Sequence, residues 1–160
     1  KVLWCENFGY NAIVTASRWK TLKFLWLQSI SKEFETYQET IADLNLDTLY
    51  INAPYTKRQI PKWIGGMKSL RVLGIEKFWY SPLPVELAEL TQLKIMSVNG
   101  CDFTEQVSDK FKNLNLEQLI YRFSKFRGDN MKWSKFKALA KNEYRLRRDF
   151  DKEDSETPIY

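Results

Sequence analysis

Residues 60–75 read Ile60-Pro61-Lys62-Trp63-Ile64-Gly65-Gly66-Met67-Lys68-Ser69-Leu70-Arg71-Val72-Leu73-Gly74-Ile75. Residues 83–98 place apolar side chains in the same order: Leu83-Pro84-Val85-Glu86-Leu87-Ala88-Glu89-Leu90-Thr91-Gln92-Leu93-Lys94-Ile95-Met96-Ser97-Val98. Each stretch opens with apolar residues spaced by four and three, the stripe of a short helix. Each closes on a Leu-x-x-Leu-x-Leu run whose alternation is that of a strand. The closing run recurs as Leu22-x-x-Leu25-x-Leu27, Leu46-x-x-Leu49-x-Ile51, Leu70-x-x-Leu73-x-Ile75, Leu93-x-x-Met96-x-Val98 and Leu116-x-x-Leu119-x-Tyr121, at intervals of 24, 24, 23 and 23 residues. A sixth copy, Leu3-x-Cys5, lacks its first position. The helical stripe recurs too, as Tyr37, Ile41 and Leu44 and as Val107, Phe111 and Leu114. One strand and one short helix every 23–24 residues can bury an apolar face only by stacking on a copy of itself.

Composition fits one such domain. The chain has 160 residues, 44% hydrophobic and 28% charged, enough to bury a core and too ordered in make-up for a tail or fibre. No apolar run approaches the length of a membrane helix, and no leader of the secretory type is visible. Histidine is absent, which removes imidazole bases and His-ligated metals. Two cysteines 96 residues apart, with no CxxC pair, do not make a zinc site, so neither a metal nor a cofactor is expected. With no N-x-Ser/Thr acceptor in the chain, the thiols lean towards a reducing, cytoplasmic setting.

The net charge is +5. Seven basic residues lie between Lys132 and Arg148, but five acids follow between Asp149 and Tyr160. A basic stretch carrying its own counter-charge reads against nucleic acid as the partner. Short catalytic matches also fall away. Tyr121-x-x-x-Lys125 comes without a dinucleotide fingerprint, and Tyr121 occupies an inward repeat position. Gly65-Gly66-Met67-Lys68-Ser69 has the wrong spacing for a phosphate loop and reads as the end of a short helix. Cys101 has no His to activate it. The chain is therefore read as non-enzymatic.

The repeat resembles the leucine-rich repeat family over about residues 2–125, most closely in the two stretches quoted first. Cys101 falls where that family places Asn or Cys, while Pro54, Phe78 and Ser124 hold the position in neighbouring repeats. The resemblance implies an α/β solenoid, curved, with a parallel sheet on its concave side and short helices on its convex side. Residues 1–128 are the repeat domain, of about six repeats. Residues 129–150 are expected as a C-terminal capping helix with Trp133, Phe136, Ala140 and Tyr144 on one face, and 151–160 as an acidic tail. Because the chain opens inside a strand, further residues or a domain are expected before Lys1.

On a sheet of this kind the leucines point inward and the residues between them project outward. The position after the second leucine reads Trp4, Trp26, Tyr50, Gly74, Ser97, Ile120; the position before it reads Val2, Phe24, Thr48, Val72, Ile95, Gln118. Beyond the third leucine lies a polar border of Glu6, Gln28, Asn52, Glu76, Asn99 and Arg122. The candidate partner-binding face is Trp4, Phe24, Trp26, Tyr50, Asn52, Val72, Glu76, Ile95, Asn99 and Arg122, with the four aromatics as anchor. The expected function is protein–protein recognition by this face. The alternative is the sensor or substrate-recognition part of a larger enzyme or immune-type receptor, with catalysis outside the chain. Two other readings of the face stay open: a segment of the same polypeptide covering the aromatics, and stacking of sugar rings. The loops around Phe78, Trp79 and Tyr80 are the next place to look.

Overall fold

The computed structural model describes residues 1–5, 20–28, 41–53, 58–104, 107–126 and 130–145. Among them, strands β1 (Val2–Cys5), β2 (Phe24–Leu27), β3 (Thr48–Asn52), β4 (Val72–Glu76), β6 (Ile95–Asn99), β8 (Leu116–Arg122) and β10 (Ala140–Arg145) form one seven-stranded sheet in that order, and every pair in it is parallel. A second parallel sheet pairs β5 (Trp79–Ser81), β7 (Asp102–Phe103) and β9 (Lys125–Phe126). The protein is thus α/β and mostly parallel, with little helix. No helix among the described residues is long and apolar enough to cross a membrane.

The register carries the repeat into space. Trp4, Trp26, Tyr50, Gly74, Ser97 and Ile120 stand in one row across the large sheet, each beside the next. Strands with period-two side chains bury one set and offer the other. Leu25 and Leu27, Leu49 and Ile51, Leu73 and Ile75, Met96 and Val98, and Leu119 are buried, while the residues between them are half-exposed except Gly74. The charged rung before the strands also pairs across repeats, with Lys23 Nζ 3.5 Å from Asp47 Oδ1 and Lys94 Nζ 3.6 Å from Glu117 Oε1.

The return segments are tighter than the short helices that the spacing predicts. Lys62–Gly66, Val85–Glu89 and Asp109–Asn113 are five-residue 3-10 turns. Pro61 and Pro84 open the first two with extended backbone, and the Ser108 side chain caps the third by accepting from Lys110 N–H. A 3-10 turn brings residues three apart onto one line and so delivers Ile64 and Met67, or Leu87 and Leu90, to the core in few residues. Gly65 is buried where a Cβ would run into the Glu86 backbone of the next turn, and Lys68 Nζ donates to Gly65 O (2.9 Å) and Glu89 Oε2 (2.7 Å). The Gly-Gly-Met-Lys-Ser run is therefore spent on stacking one repeat against the next.

Two features serve the turn between the sheets. Lys77 (φ 58°), Gly100 (φ 61°) and Phe123 (φ 49°) directly follow β4, β6 and β8 at equivalent places, all in the left-handed region. One residue further on, Cys101 Sγ donates to Ile75 O and Asn99 O (both 3.5 Å), while Cys101 N–H donates to Ser124 Oγ (3.1 Å). The polar side chains at this corner extend the backbone ladder, and Phe78, at the same place one repeat earlier, fills it with buried ring instead.

The C-terminal region differs from the expected helix over 129–150. The helix, α1, covers only Asn130–Lys137, and Ala140–Arg145 is a strand lying on β8. Phe136 is fully buried with its ring 6.0 Å from Phe103, but Ala140 and Tyr144 belong to the strand and not to a helical stripe. The unpaired backbone of β8 offers a row of hydrogen bonds that a free helix end cannot match, and tertiary pairing overrides local propensity. Residues 146–150 and the tail 151–160 lie outside the described residues, as do Glu6 and Tyr37, and so do the side chains of Trp4, Cys5 and Trp133.

Candidate functional site

The outward row has a graded profile of bulk: indole at Trp26, phenol at Tyr50, then Gly74 and Ser97. The rings do not stand apart. Trp26 and Tyr50 are stacked, 5.3 Å between centroids at 27°, and Phe24 tilts against Tyr50 at 5.9 Å. Tyr50 extends sideways over the next strand, where a Cβ on Gly74 would overlap its ring. Missing bulk at Gly74 is what lets the ring lie down, and the ring in turn buries Gly74.

At the C-terminal ends of β3, β4, β6 and β8 the polar border forms a second row in register: Asn52, Glu76, Asn99, Arg122. Asn99 Nδ2 donates to Glu76 Oε1 at 3.1 Å. Lys77 Nζ lies 3.7 Å from the same oxygen, a long contact between partly exposed groups. The Arg122 guanidinium sits 4.9 Å above the ring of Phe123. Asn52 is only 5% exposed, and its Oδ1 has no hydrogen-bond partner.

Row and border enclose a shallow pocket of about 140 Å³. It brings together five of the ten residues read from the sequence: Trp26, Tyr50, Asn52, Glu76 and Asn99. Phe24, Val72 and Ile95 share the sheet face but stand in the row at the opposite ends of the strands, in register with Thr48. The backbone of Trp4 extends the aromatic row beside Trp26, while its side chain is outside the described residues. Gly74 and Ser97 also line the pocket and are absent from the sequence-based set. Their signal was smallness in the middle of a bulky row, which reads as a gap until the neighbouring ring is seen to fill it. Of the alternative loop, Phe78 is core, whereas Trp79 and Tyr80 are exposed and Trp79 Nε1 donates to Gly100 O at 2.9 Å.

The other reactive side chain, Cys101, is buried away from this face. Desolvation pushes its thiol up to about 12, against the lowering effect of the backbone groups around it. A thiol in that state packs as a small hydrophobe and is not a nucleophile at neutral pH. No family model matches this chain, and neither does any curated protein.

Proposed function

We propose that this chain is a non-enzymatic recognition module of the leucine-rich-repeat type, which binds a protein partner on the outward face of its large parallel sheet. The constant register of 22–24 residues between stacked strands, with short 3-10 returns on the other side, supports the solenoid part of the reading. Residues 130–145 serve as its C-terminal closure, as helix plus edge strand. Lys141, Glu143 and Arg145 on that last strand are charges of the kind that keep an edge from pairing with another chain.

The observation that carries the functional part is the Trp26–Tyr50 stack, held half-exposed over Gly74 on a rigid sheet. Large aromatic surface fixed in place beside hydrogen-bonding groups is what binding hot spots are made of, since little entropy is lost when a partner covers it. A protein captured by the intact chain should be lost with Trp26→Ala/Tyr50→Ala, by a hundredfold or more in affinity at about 2 kcal/mol per anchor. Lys135→Glu is the control. It is exposed on α1, outside the sheet, and unlike Lys137 is not paired with Glu143. Undiminished capture by the double variant would refute this reading.

A further inference from the structure

The pocket between Tyr50 and Asn99 is lined by carboxylate, carboxamide and hydroxyl groups beside aromatic rings. Among the described residues Glu76 is the only charged one lining it, and one of its oxygens already accepts from Asn99. Asn52 lines it too, but its carbonyl oxygen, without a partner among the described residues, is sealed from the pocket. Along one wall lie the stacked rings of Trp26 and Tyr50. A carboxylate beside stacked rings suits a ligand group that is flat, cationic and rich in donors.

We propose that this pocket takes the guanidinium of an arginine side chain presented by the partner, an inference that rests on the recognition role given above. Guanidinium has five N–H donors in one plane and no acceptor, so it pairs with the Glu76 carboxylate while its face lies on the Tyr50 ring. The cation gains from the ring quadrupole, and from a carboxylate set in a shallow, partly desolvated niche. Lys77 is the group facing Glu76 from the neighbouring turn, but its 3.7 Å contact is weak and exposed, and a forked donor outcompetes a single distant ammonium. A sugar fits less well. Its hydroxyls are acceptors as well as donors, and the amide donor of Asn99 is already engaged by Glu76. Lysine would satisfy the charge but neither the plane nor the fork.

The test uses the intact chain labelled with ¹⁵N and titrated with N-acetyl-arginine amide, followed by backbone and side-chain amide shifts. The neutral isostere N-acetyl-citrulline amide, N-acetyl-lysine amide and methyl glucoside are run beside it. Arginine should shift the Asn52 and Asn99 side-chain amides and the amides of Tyr50 and Glu76, saturating at millimolar concentration, with citrulline weaker by about tenfold or more. Glu76→Gln should weaken arginine by a similar factor while leaving the dispersed spectrum of the folded chain. Equal response to citrulline, preference for the glucoside, or no local response to arginine would each overturn the proposal. Failure here, with partner capture still lost in Trp26→Ala/Tyr50→Ala, would leave the recognition role standing and remove only the guanidinium. Arginine binding at Asn52 and Glu76, with capture indifferent to the two rings, would uphold the pocket and overturn the role.

Discussion

The ring of Tyr50 occupies the space in which a side chain at Gly74 would stand. The two residues are 24 apart in sequence and adjacent in register. Gly74→Ala therefore should not behave as the mild change it is on an open strand. The clash is with the base of the ring, which cannot swing clear without breaking its stack on Trp26. We expect a loss of about 1–3 kcal/mol, the usual cost of overpacking, together with a change in tryptophan fluorescence. In a Tyr50→Ala background the same substitution should cost little. A denaturant-unfolding double-mutant cycle reads the coupling, and additive effects would contradict the arrangement.

Cys101 makes a prediction about both reactivity and pH. A thiol whose ionisation moves from 9.0 to about 12 on folding carries about a thousandfold less thiolate at neutral pH than it does in the unfolded chain. Native Cys101 should label with a thiol reagent slower than the denatured protein by at least that factor. The sign of the linkage follows from the direction of the shift. The folded state holds this proton more tightly, so the contribution is fully present below about pH 9 and is lost as pH rises from there towards 12. Cys101→Ser, which lacks that titration, should flatten the alkaline limb of a stability–pH curve.

The strand assignment of Ala140–Arg145 is open to a proline scan over Lys141, Asn142, Glu143 and Tyr144. On an edge strand only alternate N–H groups face the neighbouring strand, so proline should be costly at every second position and tolerated between. In a helix interior all four would cost about 3 kcal/mol. Thermal melts that alternate along the four variants support the strand, and uniform loss supports the longer helix.

Two glycines should respond oppositely to alanine. Gly100 turns the chain with φ 61°, a conformation that costs a side-chain-bearing residue about 1 kcal/mol, so Gly100→Ala destabilises by about that amount. Gly66 has no atom within 4 Å of an added Cβ and no such φ. There Gly66→Ala should be neutral or gain about 0.4–1 kcal/mol by restricting the unfolded chain. Urea midpoints of the two variants decide it.

The rows of the large sheet were legible in the sequence because each Leu-x-x-Leu-x-Leu run marks its own inward and outward positions. Every register pair from Trp4 to Ile120 follows from aligning those runs, although the intervals between them vary from 22 to 24 residues. The last strand was not legible, for a physical reason. Its rungs beside Leu119 and Tyr121 are Glu143 and Arg145, so the leucine signal that marks the other strands is missing. Glu143 is exposed and accepts Lys137 Nζ at 2.9 Å, a bond that raises the Lys137 pKa despite partial burial. Nor can a sequence show that the Asn52 carbonyl is left without a donor, because its alternation and border position are shared with Glu76 and Asn99. Orphaned groups are properties of packing, not of order along the chain.

The uniform register also governs how the chain reaches its fold. Each strand of the large sheet meets a partner 22–24 residues away, whether near the start or near the end. The entropy of closing a loop depends on that separation and not on total length, so every new pairing meets the same barrier as the one before it. A chain emerging from the ribosome can lay down one strand, pay that fixed cost and dock it before the next arrives, without waiting for a distant terminus. Lengthening such a protein by whole repeats should leave its folding rate nearly unchanged, which sheets with distant pairings do not allow.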